Sequence, residues 1–356
     1  MNKNKIKVTD IRNGVVISRP EQMYGWPGMV KISENEIIVA ASERRDHVCP
    51  YGREVIVRSS DSGKTWSLPQ EIYNSELDDR DANLACTADG SLVLSWFTSA
   101  AFEHYPQWAA RTKRITDQMR KELLGSWMAC SRDQGHSWDA PKRMPAGRHI
   151  SPIFLSDNSL LVLGDGDDHE NEEAVAVYKS NDMGESWRQT TKIPCKRIWI
   201  EECKQNLLKL DENHVLETSP GKLIAMFRTI EGEMNLYQAF SEDYGETWSK
   251  PRKTDIFGCP PQLLRLSNGV IMCSYGHRRK PFSIRVVFSY DGGITWDTEN
   301  ISTLYEWKNQ PDMGYPTSIE LSPGNILTVF YCSHRGTGHQ ALPEGILSVT
   351  FNIKNI

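Results

Sequence analysis

Short apolar runs of three to seven residues, set two to a turn, recur along this chain and bound its architecture. They fall in pairs: 28–32 with 37–41, 82–87 with 91–97, 153–155 with 159–163, 213–218 with 222–228, 262–266 with 270–275, and 316–321 with 325–331. Tight-turn residues such as Asp89-Gly90 and Asn268-Gly269 join the members of a pair, as expected of antiparallel strands. Residues 107–124 break the rhythm. Their spaced apolar residues Trp108, Ile115, Met119 and Leu123 among helix formers predict a short helix inserted in the second unit.

Five of the six pairs lead, through a third strand, to one repeated octet, Ser-x-Asp-x-Gly-x-Ser/Thr-Trp. It occupies 59–66, 131–138, 180–187, 241–248 and 289–296. Internal repeats of this kind outrank other fold signals. Ser and Asp side chains hold a turn shut by bonding backbone amides two residues on, Gly supplies positive φ, and Trp covers the turn. Each octet is therefore expected to join the third and fourth strands of a four-stranded unit. Six such units predict an all-β, six-bladed β-propeller spanning residues 1–356 as one domain. The sixth unit has no octet. Residues 346–351 can supply its third strand and 14–17 its fourth, closing the ring by pairing the two ends of the chain.

Composition adds little that changes this picture. Forty-one basic and 46 acidic residues give a net charge of −5, so no basic stripe argues for nucleic acid as a partner. The eight cysteines form no Cys-x-x-Cys pair and read as reduced, mostly buried thiols. No stretch approaches the ~20 apolar residues of a membrane span, and the first residues carry charge without an apolar region behind them; the expectation is a cytoplasmic protein with no membrane partner. The acidic run 165–170 lacks the spacing of a calcium loop, and no metal or cofactor is assigned.

In a four-stranded meander the 3–4 turns lie at one end of the blade, while the 2–3 loops and blade-to-blade crossovers share the other. Chemistry is expected on that second face, where the loops are unlike one another. On it fall Arg44, Arg45, Asp46 and His47, then Arg80, Asp81 and Asn83, the helical insert, and the 165–170 run. Glu201, Glu202, Asp211, Glu212, Arg228, Arg278, Arg279, Arg285, Gly314, Tyr315, His334 and Arg335 follow, and His149 and His339 can also line the mouth.

With five octets on six units, the chain resembles the sialidase (neuraminidase) superfamily, propellers built on Asp-box or BNR repeats. The resemblance implies a glycoside hydrolase acting on a terminal, acidic sugar of sialic or uronic type. It implies Tyr315, after Gly314 at the start of the last blade, as nucleophile, with Glu212 as its partner. Arg228 and Arg285 match two substrate-binding arginines, and Arg45, Arg80, Asp81 and Trp26 are further candidates for holding substrate. Three departures stand out. The first blade reads Tyr24-Gly25-Trp26-Pro27, where the family has Tyr-Arg-Ile-Pro. Tyr331 is followed by Cys332 rather than the acid that steadies that arginine. The place of the acid/base Asp holds Cys49-Pro50-Tyr51, leaving Asp46 and His47 as the nearest proton donors. Two other functions remain open on the same residues: a propeller that binds a glycan without cutting it, and a polysaccharide lyase on a related propeller.

Overall fold

The computed structural model describes residues 5–355 apart from 88, 146, 148–150, 165–173, 195–198, 201–204, 207–209, 230–233, 308–311 and 334–343. The expected six sheets of four antiparallel strands are present. Blade 1 runs outward from the axis through Met23–Lys31, Ile37–Arg44, Arg53–Ser59 and Gln70–Tyr73. The innermost strands of the other blades are Asp78–Cys86, Ile153–Phe154, Leu210–Ser219, Pro261–Arg265 and Met313–Ser322. The last sheet closes as the sequence predicts: Gly345–Asn355 pairs with Ile6–Ile17, which becomes its outermost strand. The free end of the chain thereby covers an edge that would otherwise be open.

Each octet is a turn with two consecutive left-handed residues, not one. Met183 (φ 60°) precedes Gly184 (φ 81°), and the same pair recurs as Ser62-Gly63, Gln134-Gly135, Tyr244-Gly245 and Gly292-Gly293. This double requirement is that of a primed hairpin turn, matched to strand twist. The side-chain bonds reach further along the chain than two residues. Ser180 Oγ accepts the Gly184 amide at 2.8 Å, and Asp182 accepts the Ser186 amide at 2.9 Å and the Ser186 hydroxyl at 2.5 Å.

The octets also join neighbouring blades. Trp66, Trp138, Trp187, Trp248 and Trp296 each pack into an apolar cluster shared by their own blade and the one before. A Cβ on Gly184 would lie 2.4 Å from the Met128 sulfur of the preceding blade, and one on Gly293 2.4 Å from Ile224. Glycine is thus required there for close approach as well as for φ. No octet stands between blades 5 and 6; Trp307, Phe288, Phe330 and Phe351 fill that interface.

The insert in blade 2 is helical but divided. It comprises the helical turns Ala101–His104 and Pro106–Trp108, then helices Ala109–Thr112 and Asp117–Leu123, the last capped by Thr116, whose hydroxyl accepts the Met119 amide at 3.1 Å. Among the described residues, Cys49, Cys86, Cys130, Cys259, Cys273 and Cys332 are free thiols, and no helix is long and apolar enough to cross a membrane. The 165–170 run, Glu201, Glu202, His149, His334, Arg335, His339, Cys195 and Cys203 lie outside the described residues.

The octet aspartates fix a pH signature. Hydrogen bonds from Ser186 and then Ser180 lower the Asp182 pKa from its usual value to about 2. A carboxyl held below its unfolded value stabilises the fold above that value, and the contribution is lost as pH falls through about 2. Asp182→Ala is expected to lower the Tm at pH 7, with the deficit shrinking between pH 4 and pH 2; thermal unfolding across that range checks it.

Candidate active site

Four innermost strands carry a bulge in their first turn, and each places one non-glycine residue in the left-handed region. Trp26 (φ 51°), Asp81 (φ 65°), Glu212 (φ 33°) and Tyr315 (φ 51°) are the four. The register breaks at the same place in each: between Gly25 and Gly28, Arg80 and Asn83, Asp211 and Asn213, and Gly314 and Thr317. A bulge re-aims a side chain that regular pleating would send elsewhere. Here all four side chains line one pit on the axis, at the end opposite the octets, with Asn213, His214, Pro260, Gln262 and Thr317.

Within the pit the phenol of Tyr315 donates a short hydrogen bond to Glu212 Oε1, joining blades 6 and 4 across the axis. The other carboxylate oxygen, Oε2, lies 2.5 Å from Arg228 Nη1. Loss of hydration and the adjacent Glu212 carboxylate push the Tyr315 pKa well above the usual phenol value, with Asp81 adding to the field. Tyr315 is therefore a neutral phenol whose proton already points at a carboxylate. Dehydration also drives His214 down to about 4, so its ring is neutral; its Nδ1 accepts the Leu263 amide at 3.3 Å.

A second chain of contacts runs beside the first. Arg278 Nε donates to the Met313 carbonyl at 2.9 Å and its Nη2 to Tyr331 Oη at 3.1 Å. Tyr331 donates onward to Asp312 Oδ1 at 2.8 Å, and His47 Nδ1 stands 3.3 Å from the same oxygen. The Trp26 ring meets His47 edge-on at 5.2 Å and Tyr315 at 6.3 Å, so the two chains share one wall.

Behind that wall lies a buried ionic cluster. Both Arg44 and Arg80 lie over the Trp26 ring, at 4.7 and 4.4 Å. Arg44 Nη2 bonds Asp78 Oδ1 at 2.6 Å, and Arg80 Nη1 is 3.6 Å from Asp78 Oδ2. Asp79 and Glu54 are fully buried beside them. Burial raises the Asp79 pKa to about 7, against the opposing bonds from Thr98 and Ser75, and raises Glu54 in the same direction.

The structure thus brings Tyr315, Glu212, Arg228, Asp81 and Trp26 together, with Arg80 over the Trp26 ring and His47 5.2 Å from it. Three candidates fall elsewhere. Arg285 sits in the third strand of blade 5, where its Nε donates to Ser283 Oγ at 2.9 Å; that strand does not face the axis. Arg278, at the end of the second strand of the same blade, occupies the place expected of Arg285, within 6.0 Å of the Tyr315 ring. Arg45 is exposed and lies over Tyr51 at 4.5 Å. Asp46 accepts the His47 amide at 2.6 Å, closing the turn that presents His47. Sequence reading passed over Asp312 and the tyrosyl end of Tyr331. The signal was an acidic residue two places before Gly314, which carries no meaning until Tyr331 is seen beneath it. Among the described residues no group of three or more metal-ligating side chains occurs.

The cluster's pH dependence follows from sign. A carboxyl raised in the fold contributes stability that is complete below its unfolded value and is lost as pH climbs through the folded value, here about 7 for Asp79. Asp79→Asn is expected to gain stability relative to the parent between pH 4 and pH 8, on the order of 3 kcal/mol; chemical denaturation at both pH values measures it.

Residues 52–328 match the family described as BNR repeat-like domain. A crystal structure of a protein of unknown function from Dyadobacter fermentans is similar over 97% of this chain and 99% of that one, at 22% identity and a TM-score of 0.76. NanB sialidase from Streptococcus pneumoniae, at 14% identity, aligns over 96% of this chain and 70% of its own, with a TM-score of 0.68. Trypanosoma rangeli sialidase, in complex with the inhibitor DANA, is 13% identical over 98% of this chain and 59% of its own, with a TM-score of 0.60. At such identities the likeness establishes the fold. No curated protein sequence matches the chain.

Proposed function

The chain belongs to the BNR repeat-like family on a sialidase-type propeller, and from that premise we propose that it is a glycoside hydrolase cleaving a terminal acidic sugar with retention of configuration. The single observation that carries this reading is the Tyr315–Glu212–Arg228 array, a phenol and a guanidinium on the two oxygens of one carboxylate. Tyr315 attacks the anomeric carbon while Glu212 takes its proton, so no free phenolate has to exist beforehand. A neutral nucleophile suits an anomeric centre next to a carboxylate, since it avoids repulsion between like charges. Arg228 stabilises the Glu212 carboxylate in the resting state and, with Arg278, supplies positive charge for an acidic substituent.

One observation favours a second reading, a propeller that binds a glycan without cutting it. Gly25 stands where the family's Tyr-Arg-Ile-Pro has its arginine, which leaves Arg228 and Arg278 as the guanidiniums near Tyr315. The two readings separate in one panel. Aryl glycosides of sialic and uronic acids, with neutral controls, are assayed for released sugar, and acidic polysaccharides for an unsaturated product absorbing in the ultraviolet. Hydrolysis of an acidic glycoside is expected, with the first-formed sugar retaining its anomeric configuration by NMR. Tyr315→Phe is expected to lower kcat/KM by roughly 10³-fold or more while the Tm is kept. Binding without turnover would favour the second reading, and turnover that survives Tyr315→Phe would remove the nucleophile.

A further inference from the structure

We propose that His47 and Asp312 form the proton-transfer dyad of this site: His47 exchanges the proton with the glycosidic oxygen and then with water, and Asp312 orients the ring. The inference rests on the hydrolytic reading above. A hydrolase needs a group that protonates the departing oxygen, and neither Glu212 nor Tyr315 can serve, because each already exchanges its proton with the other.

The geometry selects His47 from the loop at the mouth of blade 1. Its Nδ1 is 3.3 Å from Asp312 Oδ1, an oxygen that also accepts the Tyr331 hydroxyl at 2.8 Å. A carboxylate can only accept, so the neutral imidazole carries its hydrogen on Nδ1 and turns Nε2 away from Asp312. Asp312 is itself fixed. Burial opposes its charge, but the bonds from His47 and Tyr331 and the nearby Arg278 outweigh this and hold its pKa below the usual value. It stays ionised, as an orienting acid must. Arg278 anchors the far end through Tyr331 and through the carbonyl of Met313, the residue directly after Asp312. Packing adds to the placement: the His47 ring lies 5.2 Å from Trp26, whose ring in turn lies 6.3 Å from Tyr315.

The steps balance. Tyr315 Oη bonds the anomeric carbon and its proton goes to Glu212. The glycosidic C–O bond breaks with its electron pair on the leaving oxygen, which takes the Nε2 proton of the His47 imidazolium. Water then attacks the anomeric carbon, the C–O bond to Tyr315 breaks, Glu212 returns the proton to Tyr315, and His47 Nε2 accepts the proton lost by water.

The test varies the leaving group. An acidic sugar found by the panel is offered as its dinitrophenyl glycoside, whose leaving group needs no proton, and as its alkyl glycoside, whose leaving group does. His47→Ala is expected to lower kcat/KM on the alkyl glycoside by about 10²–10⁴-fold, but by no more than about tenfold on the dinitrophenyl glycoside. Asp312→Asn, a positioning change, is expected to give the same split at about 10–100-fold. His47→Gln provides the comparison if the alanine variant unfolds. Equal losses on both glycosides, or no loss on either, would overturn the dyad while leaving the hydrolytic reading intact, provided Tyr315→Phe is inactive on both. A parent enzyme that turns over neither, or a Tyr315→Phe variant that still does, overturns the hydrolytic reading itself and the dyad with it.

Discussion

The site depends on one backbone constraint: in four of six inner strands, a residue with a side chain is forced into a conformation that glycine would adopt freely. Trp26, Asp81, Glu212 and Tyr315 each sit at the extra position of a bulge. Such placements cost on the order of 1–3 kcal/mol each and persist only where surrounding structure over-determines them. The innermost strand is paired on one side only, so a bulge there disturbs a single ladder. That is also why Pro27 and Pro316, which donate no hydrogen bond, are tolerated inside these strands. The octets on the opposite face and the apolar clusters shared between blades hold the blades in place around these strained positions.

Given that convergence, the electrostatics of the pit follow from proximity and dehydration. A phenol deprived of water would not ionise, and a carboxylate placed against it makes ionisation harder still. The same carboxylate is paired with Arg228 through its other oxygen, 2.5 Å from Nη1. The outcome is a pair in which the proton has one short path and a poor reason to leave by any other. Asp312 shows the opposite balance at the rim, where hydrogen bonds and a neighbouring guanidinium outweigh burial. Two acids a few residues apart in the ring's architecture are therefore pushed toward different tasks by their surroundings alone.

Most of the fold was legible in the sequence because it is periodic. The octets, the paired apolar runs and the end-to-end closure all repeat a local rule, and local rules can be read from one chain. The site was legible only in part. Tyr315, Glu212 and Arg228 were found by likeness to a family pattern. Arg285 was matched to the family pattern as the arginine before the blade 5 octet, but it lies in the third strand, while Arg278 follows the second strand and comes near Tyr315. Asp46 and His47 were adjacent candidates that sequence alone did not separate, and in the structure an Asp46 oxygen accepts the His47 amide. Asp312 was invisible for a different reason. Its meaning comes from Tyr331 and His47, which lie in another strand and another blade.

Positive charge remains beside Trp26 although Gly25 stands where the family motif has its arginine. The wall of the pit still has positive charge behind it, because Arg44 and Arg80 both lie over the indole. Neither guanidinium stands on the pit side, however, and each is tied to Asp78. With Trp26 itself only 3% exposed, the ring cannot offer a stacking face to a sugar; what it presents is an edge, already in contact with His47, Tyr315 and Tyr331. The indole thereby stands between Tyr315 on one side and His47 on the other, and its contacts set their spacing.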